Sequence, residues 1–175
     1  LTTADGNAAF TAGGTLNNQA VVDIKGNLSV TAAGLSNTTG TLQAGQDFTL
    51  RLPVFDRAQS GGRLAADGKL SLHTQGDIQF SGDEFTTPGQ LALESQEGAI
   101  RIDSRVVAGS DTSLRSQQVL LGEAGVLVGQ GALNVAAQDM VNLGVVYGRD
   151  RLTLRIESEL SNGSSATRPA SLLSD

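Results

Sequence analysis

The chain has no cysteine and no tryptophan, one histidine, one methionine, one tyrosine and three prolines in 175 residues. Without cysteine there is no disulfide framework, no thiolate nucleophile and no cysteine-ligated zinc or iron–sulfur site. With six aromatic residues, five Phe and one Tyr, the interior must be stacked from Leu, Val, Ile and Ala. Such an interior is unusual for an enzyme cleft or a carbohydrate platform. Positive charge is also scarce. Ten Arg and two Lys are scattered through a chain of net charge -6 and pI near 4.7, whereas phosphate binding needs clustered Lys and Arg, so no nucleic-acid partner is expected. No run reaches the roughly 18 apolar residues that a membrane-spanning helix requires. The opening LTTADG carries neither Met nor a basic-then-apolar leader, and the chain reads as a piece of a longer one.

What is present is glycine, 22 residues of it, and 39% hydrophobic residues beside 17% charged ones. That is enough apolar material for a core and too little charge for a disordered chain. The glycines punctuate a repeat. A unit of Gly, a short spacer and an alternating run recurs as GNAAF, GNLSV, GQDFTL, GKLSL, GQLAL, GSDTSL, GALNV and GRDRLTL, eight copies in all. With first inward positions at Ala8, Leu28, Phe48, Leu70, Leu91, Leu114, Leu133 and Leu152, the spacings are 20, 20, 22, 21, 23, 19 and 19.

Within a unit the alternation has period two, as in Leu28, Val30 and Ala32 against Ser29 and Thr31, which is the pattern of a half-buried strand. A looser second signature follows, with glycine corners and a recurring Leu-x-Asn at Leu16/Asn18, Leu35/Asn37 and Leu160/Asn162. An Asn there satisfies backbone groups at a turn, and these Asn are expected to stack as a partial ladder. A unit of about 20 residues cannot bury its apolar face alone, but one coil laid on the next builds a continuous core. The expected fold is all-β, a parallel β-helix of about eight coils over residues 1–160. Columns of like-sized aliphatics explain the few aromatics.

Three segments break the rhythm. Leu52 to Gly62 (LPVFDRAQSGG) and Ser81 to Gly89 (SGDEFTTPG) carry Pro53 and Pro88, cannot complete a ladder at those positions, and are expected as loops ejected from the coil. Residues 161–175 lack alternation and are expected as an irregular tail or linker.

At GNLSVTAAGLSNTTGTLQAGQDFTL, Gly26 to Leu50, the chain resembles the haemagglutinin repeats of filamentous haemagglutinin and of contact-dependent growth inhibition exoproteins, the cargo of two-partner secretion. The pattern Gly-x-Leu-x-Val-x-Ala-x-Gly-Leu-x-Asn-x-x-Gly-x-Leu-x-Ala-Gly is followed closely over residues 1–50 and more thinly beyond, with the period persisting to about Ser158. This resemblance implies a right-handed β-helix, export through an outer-membrane β-barrel transporter, and residence at the bacterial surface as a fibre. The amino-terminal secretion domain of such proteins has Asn-Pro motifs, and this sequence has no Asn-Pro dipeptide. Nor does it hold a compact non-repetitive block of the kind that carries a toxin. A structural or adhesive shaft segment is therefore the implied role.

The residues offer little chemistry. His73, the one histidine, falls at an outward strand position with no G-x-S-x-G elbow to serve it, and reads as a solvated side chain. One His, no Cys and no D-x-D-x-D-G loop imply no metal and no cofactor. Glycoside hydrolysis needs two carboxyl groups roughly 5 to 10 Å apart. Asp83 with Glu84, Glu94 with Glu97, and Asp103 near Arg101 and Arg105 are the pairs available, and each is also what a solvated face shows. No catalytic residue is assigned and no enzyme is expected. Arg149, Arg151 and Arg155 alternate onto one strand face, open to an anionic glycan or simply to water. The insertions supply the remaining candidate partner contacts, Phe55, Arg57, Asp83, Glu84 and Phe85, toward a host-cell or target-bacterium receptor or glycan. Phe55 and Phe85 have two readings: each exposes apolar area for a partner, or each folds back to cap its coil.

Overall fold

A computed structural model describes residues 2–163 and 169–175. About 66% of the chain is strand, wound as a parallel β-solenoid of about 8 turns with a period near 21 residues. Each coil carries a short strand, a glycine corner and a longer run. The first two coils are β1 (Thr2–Ala4) with β2 (Ala8–Asn17), then β3 (Val21–Ile24) with β4 (Leu28–Ser36). The next three split the long run in two. They are β5 (Thr41–Ala44), β6 (Phe48–Leu52) and β7 (Phe55–Asp56), followed by the one-turn helix α1 (Arg57–Ser60); then β8 (Arg63–Ala66), β9 (Lys69–Thr74) and β10 (Ile78–Phe80); then β11 (Phe85–Thr87), β12 (Gln90–Ser95) and β13 (Ala99–Ile102). The last three rejoin it as β14 (Arg105–Ala108) with β15 (Thr112–Leu121), β16 (Val126–Gly129) with β17 (Ala132–Asn142), and β18 (Val145–Gly148) with β19 (Arg151–Asn162). A final strand, β20 (Ser171–Ser174), begins another coil.

The strands stack in parallel register into three faces. Short strands form one, in two sheets, β1-β3-β5-β8 and β11-β14-β16-β18-β20. Long runs form the other two: β2-β4-β6-β9-β12-β15 on one side and β7-β10-β13 joining the second half of β15 on the other, with β17 and β19 continuing both. At about 4.8 Å per rung, eight coils make a rod roughly 35 to 40 Å long.

Inward side chains stand in columns because register is fixed by main-chain ladders and by the alternation of buried and exposed positions. Ala8, Leu28, Phe48, Leu70 and Leu91 share one column, rung on rung. The sixth member is Thr112, in register with Leu91 below and Leu133 above. The sequence expectation of Leu114 in this place is thereby corrected: Leu114 belongs to the next column, between Leu93 and Val135. With Thr112 restored, the uneven spacings of 23 and 19 become 21 and 21. A hydroxyl residue in an aliphatic file was invisible to a reading that sought apolar positions.

Corners are held by side chains as well as by glycine. Asn7, Asn27 and Asp47 each accept, through Oδ1, the backbone N–H one coil ahead, from Asn27, Asp47 and Lys69 at 2.8, 3.0 and 2.9 Å. At the opposite corner the expected Asn ladder exists in two short pieces. Asn18 Nδ2 donates to Asn37 Oδ1 at 2.7 Å, and Asn142 Nδ2 to Asn162 Oδ1 at 2.8 Å. Asn37 is fully buried, and its own Nδ2 donates to the carbonyls of Gly40 and Arg63.

The tail expectation is also corrected. β19 runs through Ser161 to Asn162, and Ser171–Ser174 pairs with β18, so the segment contributes strand on either side of residues 164–168. Those five lie outside the described residues. Periodicity alone missed β20 because SLLS is too short to display alternation.

Candidate functional site

The two insertions are not ejected from the coil. In the first, Leu52 ends β6 and Phe55–Asp56 pairs as β7 with Ile78–Gln79 of β10. In the second, Phe85–Thr87 pairs with Val106–Ala108 of β14. Phe55 and Phe85 are 1% and 3% exposed. Their rings flank buried Phe80 at centroid distances of 5.5 and 4.9 Å, tilted and edge-on, arrangements that contribute beyond area burial. The expectation that they offer apolar area to a partner is overturned, and the alternative of folding back is what occurs. The reason is burial: both rings pack on Phe80 inside the coil, and burial of each ring is worth more than its exposure.

Arg57 sits on the outside of this cluster. Its guanidinium lies over the Phe85 ring at 5.7 Å, a cation–π approach. Its Nε and Nη1 are buried with no hydrogen-bond partner among the described residues. Burial pushes its titration below the ordinary arginine value, and the charge of Asp83 pulls it back up. Arg57 therefore ties the helix of the first insertion to the loop of the second. Asp56 caps that helix by accepting from Ala58 N–H at 2.9 Å, and Gly61 and Gly62 leave it with φ of 59 and 57°. A Cβ on Gly62 would stand 1.8 Å from the Asn37 carbonyl, so only glycine fits there. Between β8 and β11 the short-strand ladder breaks, and the Thr87 hydroxyl spans the gap to Ala66 N and O, at 3.3 Å each. Asp83 and Glu84 alone of the five named residues are exposed. Glu84 is already paired with Arg105 Nε at 3.0 Å.

Glu94 stands on β12 and binds His73 Nδ1 at 2.9 Å, whereas Glu97 is on the following turn beside Gln75 Nε2 at 3.4 Å. Asp103 lies on an exposed turn after β13. No group of three or more metal-ligating side chains occurs among the described residues. No described helix is long and apolar enough to cross a membrane, a statement that says nothing of β-barrels. Of the three clustered arginines, Arg151 and Arg155 do share an outward face of β19; Arg149 lies before it, on the corner.

What sequence reasoning missed is a column. The third residue after each first inward position points outward, and register places these residues on successive rungs: Arg51, His73, Glu94, Arg115, Ala136 and Arg155. Beside it runs a second outward row of small, mostly hydroxyl-bearing residues, Thr49, Ser71, Ala92, Ser113, Asn134 and Thr153. Two adjoining depressions of about 650 and 430 Å³ lie along them, sharing Glu94, Arg115, Ala136 and Arg155. The signal was in the sequence at a spacing near 21, but only a correct register aligns it.

Parallel rungs, one-dimensional packing and side-chain ladders at the corners define a repeat solenoid of the β class. A family model for the haemagglutinin repeat matches residues 3–51, 56–101 and 89–153. The chain belongs to the haemagglutinin-repeat family, well beyond the first fifty residues where the resemblance is closest. Neither a curated protein nor a solved structure gives a match.

Proposed function

We propose that this chain is a shaft segment of a large secreted bacterial surface exoprotein, holding binding or toxin-bearing modules away from the cell. The observation that carries this reading is the continuous core: parallel rungs bury one apolar cluster from Ile24 to Val146, an architecture whose length grows by adding coils. The family is one of secreted surface proteins with structural and adhesive roles rather than enzymatic ones, which supports it. In this reading the unfolded chain leaves through an outer-membrane β-barrel transporter and winds outside. The absence of cysteine suits a chain that must cross unfolded and fold without oxidative help.

The test is immunological. Antibody raised against the chain should label intact producing cells, and labelling should vanish when the cognate transporter is deleted. In-frame removal of two whole coils should leave export intact and shorten the fibre seen by electron microscopy. Labelling that requires permeabilised cells refutes the proposal.

A further inference from the structure

We infer that the outward column from Arg51 to Arg155 is a binding groove for an extended anionic polysaccharide. Four observations carry it. The column is straight, because its members occupy successive rungs of one parallel ladder, and five steps span roughly 24 Å at about 4.8 Å each. A linear polymer fits such a track, and a compact small molecule uses only part of it.

Its positive charge is uncommitted. Two ion pairs exist among the described residues, Lys25–Asp5 and Arg105–Glu84, beside the 2.9 Å contact of His73 Nδ1 with Glu94. Arg51, Arg115 and Arg155 take part in none of them, and their side chains donate no hydrogen bond among those residues. The one carboxylate in the column, Glu94, is bonded to His73; Glu157 also lines the larger depression, at its edge beyond Arg155, and the smaller depression adds Lys69 instead. A chain of net charge -6 thus presents a line of free guanidinium groups, each able to take a carboxylate or sulfate through two parallel N–H bonds.

The floor is shaped for sugar rather than for a protein edge. Ala136 stands between Arg115 and Arg155, leaving a gap two rungs wide, roughly 10 Å, about the length of a disaccharide. The neighbouring row of Ser113, Asn134 and Thr153 offers hydroxyl and amide groups to ring hydroxyls. No aromatic residue enters the column, so recognition runs through charge and hydrogen bonds, not stacking. Both grooves converge on this pair of arginines. The inference stands apart from the shaft reading, since a shaft needs no ligand, and either can fail alone.

Carboxylate and sulfate are alternative sources of the same chemistry. The experiment measures binding of the full chain, by calorimetry at low salt, to polygalacturonate, to dextran sulfate and to neutral dextran. The expected result is binding to one or both anionic polymers and none to neutral dextran, with affinity falling as salt rises. The stronger of the two anionic arms names the anion. Arg115→Gln and Arg155→Gln should each weaken binding by roughly tenfold, the scale of a charged hydrogen bond. Arg63→Gln, on the short-strand face, should change nothing. Both groove arginines are exposed, and an unchanged circular dichroism spectrum verifies that the variants fold. Silence toward both anionic polymers, or binding indifferent to the Arg115→Gln/Arg155→Gln pair, overturns the inference.

Discussion

Replacing Thr112 by Val should make this protein more stable. Thr112 is 1% exposed, lies in register between Leu91 and Leu133, and its Oγ1 has no hydrogen-bond partner among the described residues. The hydroxyl points across the coil toward the short-strand face, where a Cβ on Gly129 would stand 2.9 Å from it. A buried hydroxyl without a partner costs about 1 to 3 kcal/mol. Valine keeps the branched shape, replaces the hydroxyl by a methyl and has equal liking for strand. The expected gain is about 1 to 2 kcal/mol, and for a chain of this size each kcal/mol raises the thermal midpoint by about 2–4 °C. Thr112→Ser is the companion: it keeps the hydroxyl, loses the methyl and should destabilise by about 1 kcal/mol. Thermal and guanidinium unfolding followed by circular dichroism reads both. A lower midpoint for the valine variant, with serine close to the parent, would mean that the hydroxyl is bonded and the column argument wrong.

Three further outcomes are expected. Phe80→Ala removes the central ring between Phe55 and Phe85 and should cost about 3 to 5 kcal/mol in denaturant unfolding; a loss under 1 kcal/mol would place the aromatic cluster outside the cooperative core. Asn37→Ala deletes the buried bonds to Asn18, Gly40 and Arg63 and should cost about 2 to 4 kcal/mol. Combined with Asn18→Ala, the loss should fall short of the sum of the single losses, because the two share a bond; strict additivity would deny the ladder. Tyr147, the only tyrosine, donates to Asp175 Oδ2 at 2.7 Å. That bond, more than desolvation or nearby charge, lifts its titration above the ordinary phenol value. Its stabilisation is present while the phenol is protonated and is lost as pH rises through the folded-state midpoint. Absorbance titration should show that midpoint falling toward the ordinary value, about 10, in Asp175→Ala; an unmoved midpoint refutes the assignment.

The architecture was legible in the amino-acid string because a solenoid is built from local information repeated. Alternation in Leu28, Val30 and Ala32 dictates which face is buried, glycines mark corners, and a period near 21 requires each rung to lie on the last. Leu16/Asn18 and Leu35/Asn37 announced a corner ladder for the same reason. Departures from repetition were not legible. Leu52 to Gly62 and Ser81 to Gly89 looked like loops because proline breaks a pattern, yet the rings of both insertions pack on the same buried Phe80, which gathers residues some thirty positions apart. Thr112 was passed over because hydropathy cannot say that a column has no alternative occupant. The arginine column depended on register, since a shift of one residue sends every side chain to the opposite face. Sequence alone thus determined that the chain must coil and what it must bury. The tertiary structure decided which side chains become neighbours across coils, because that adjacency is set by the pitch of the stack and not by distance along the chain.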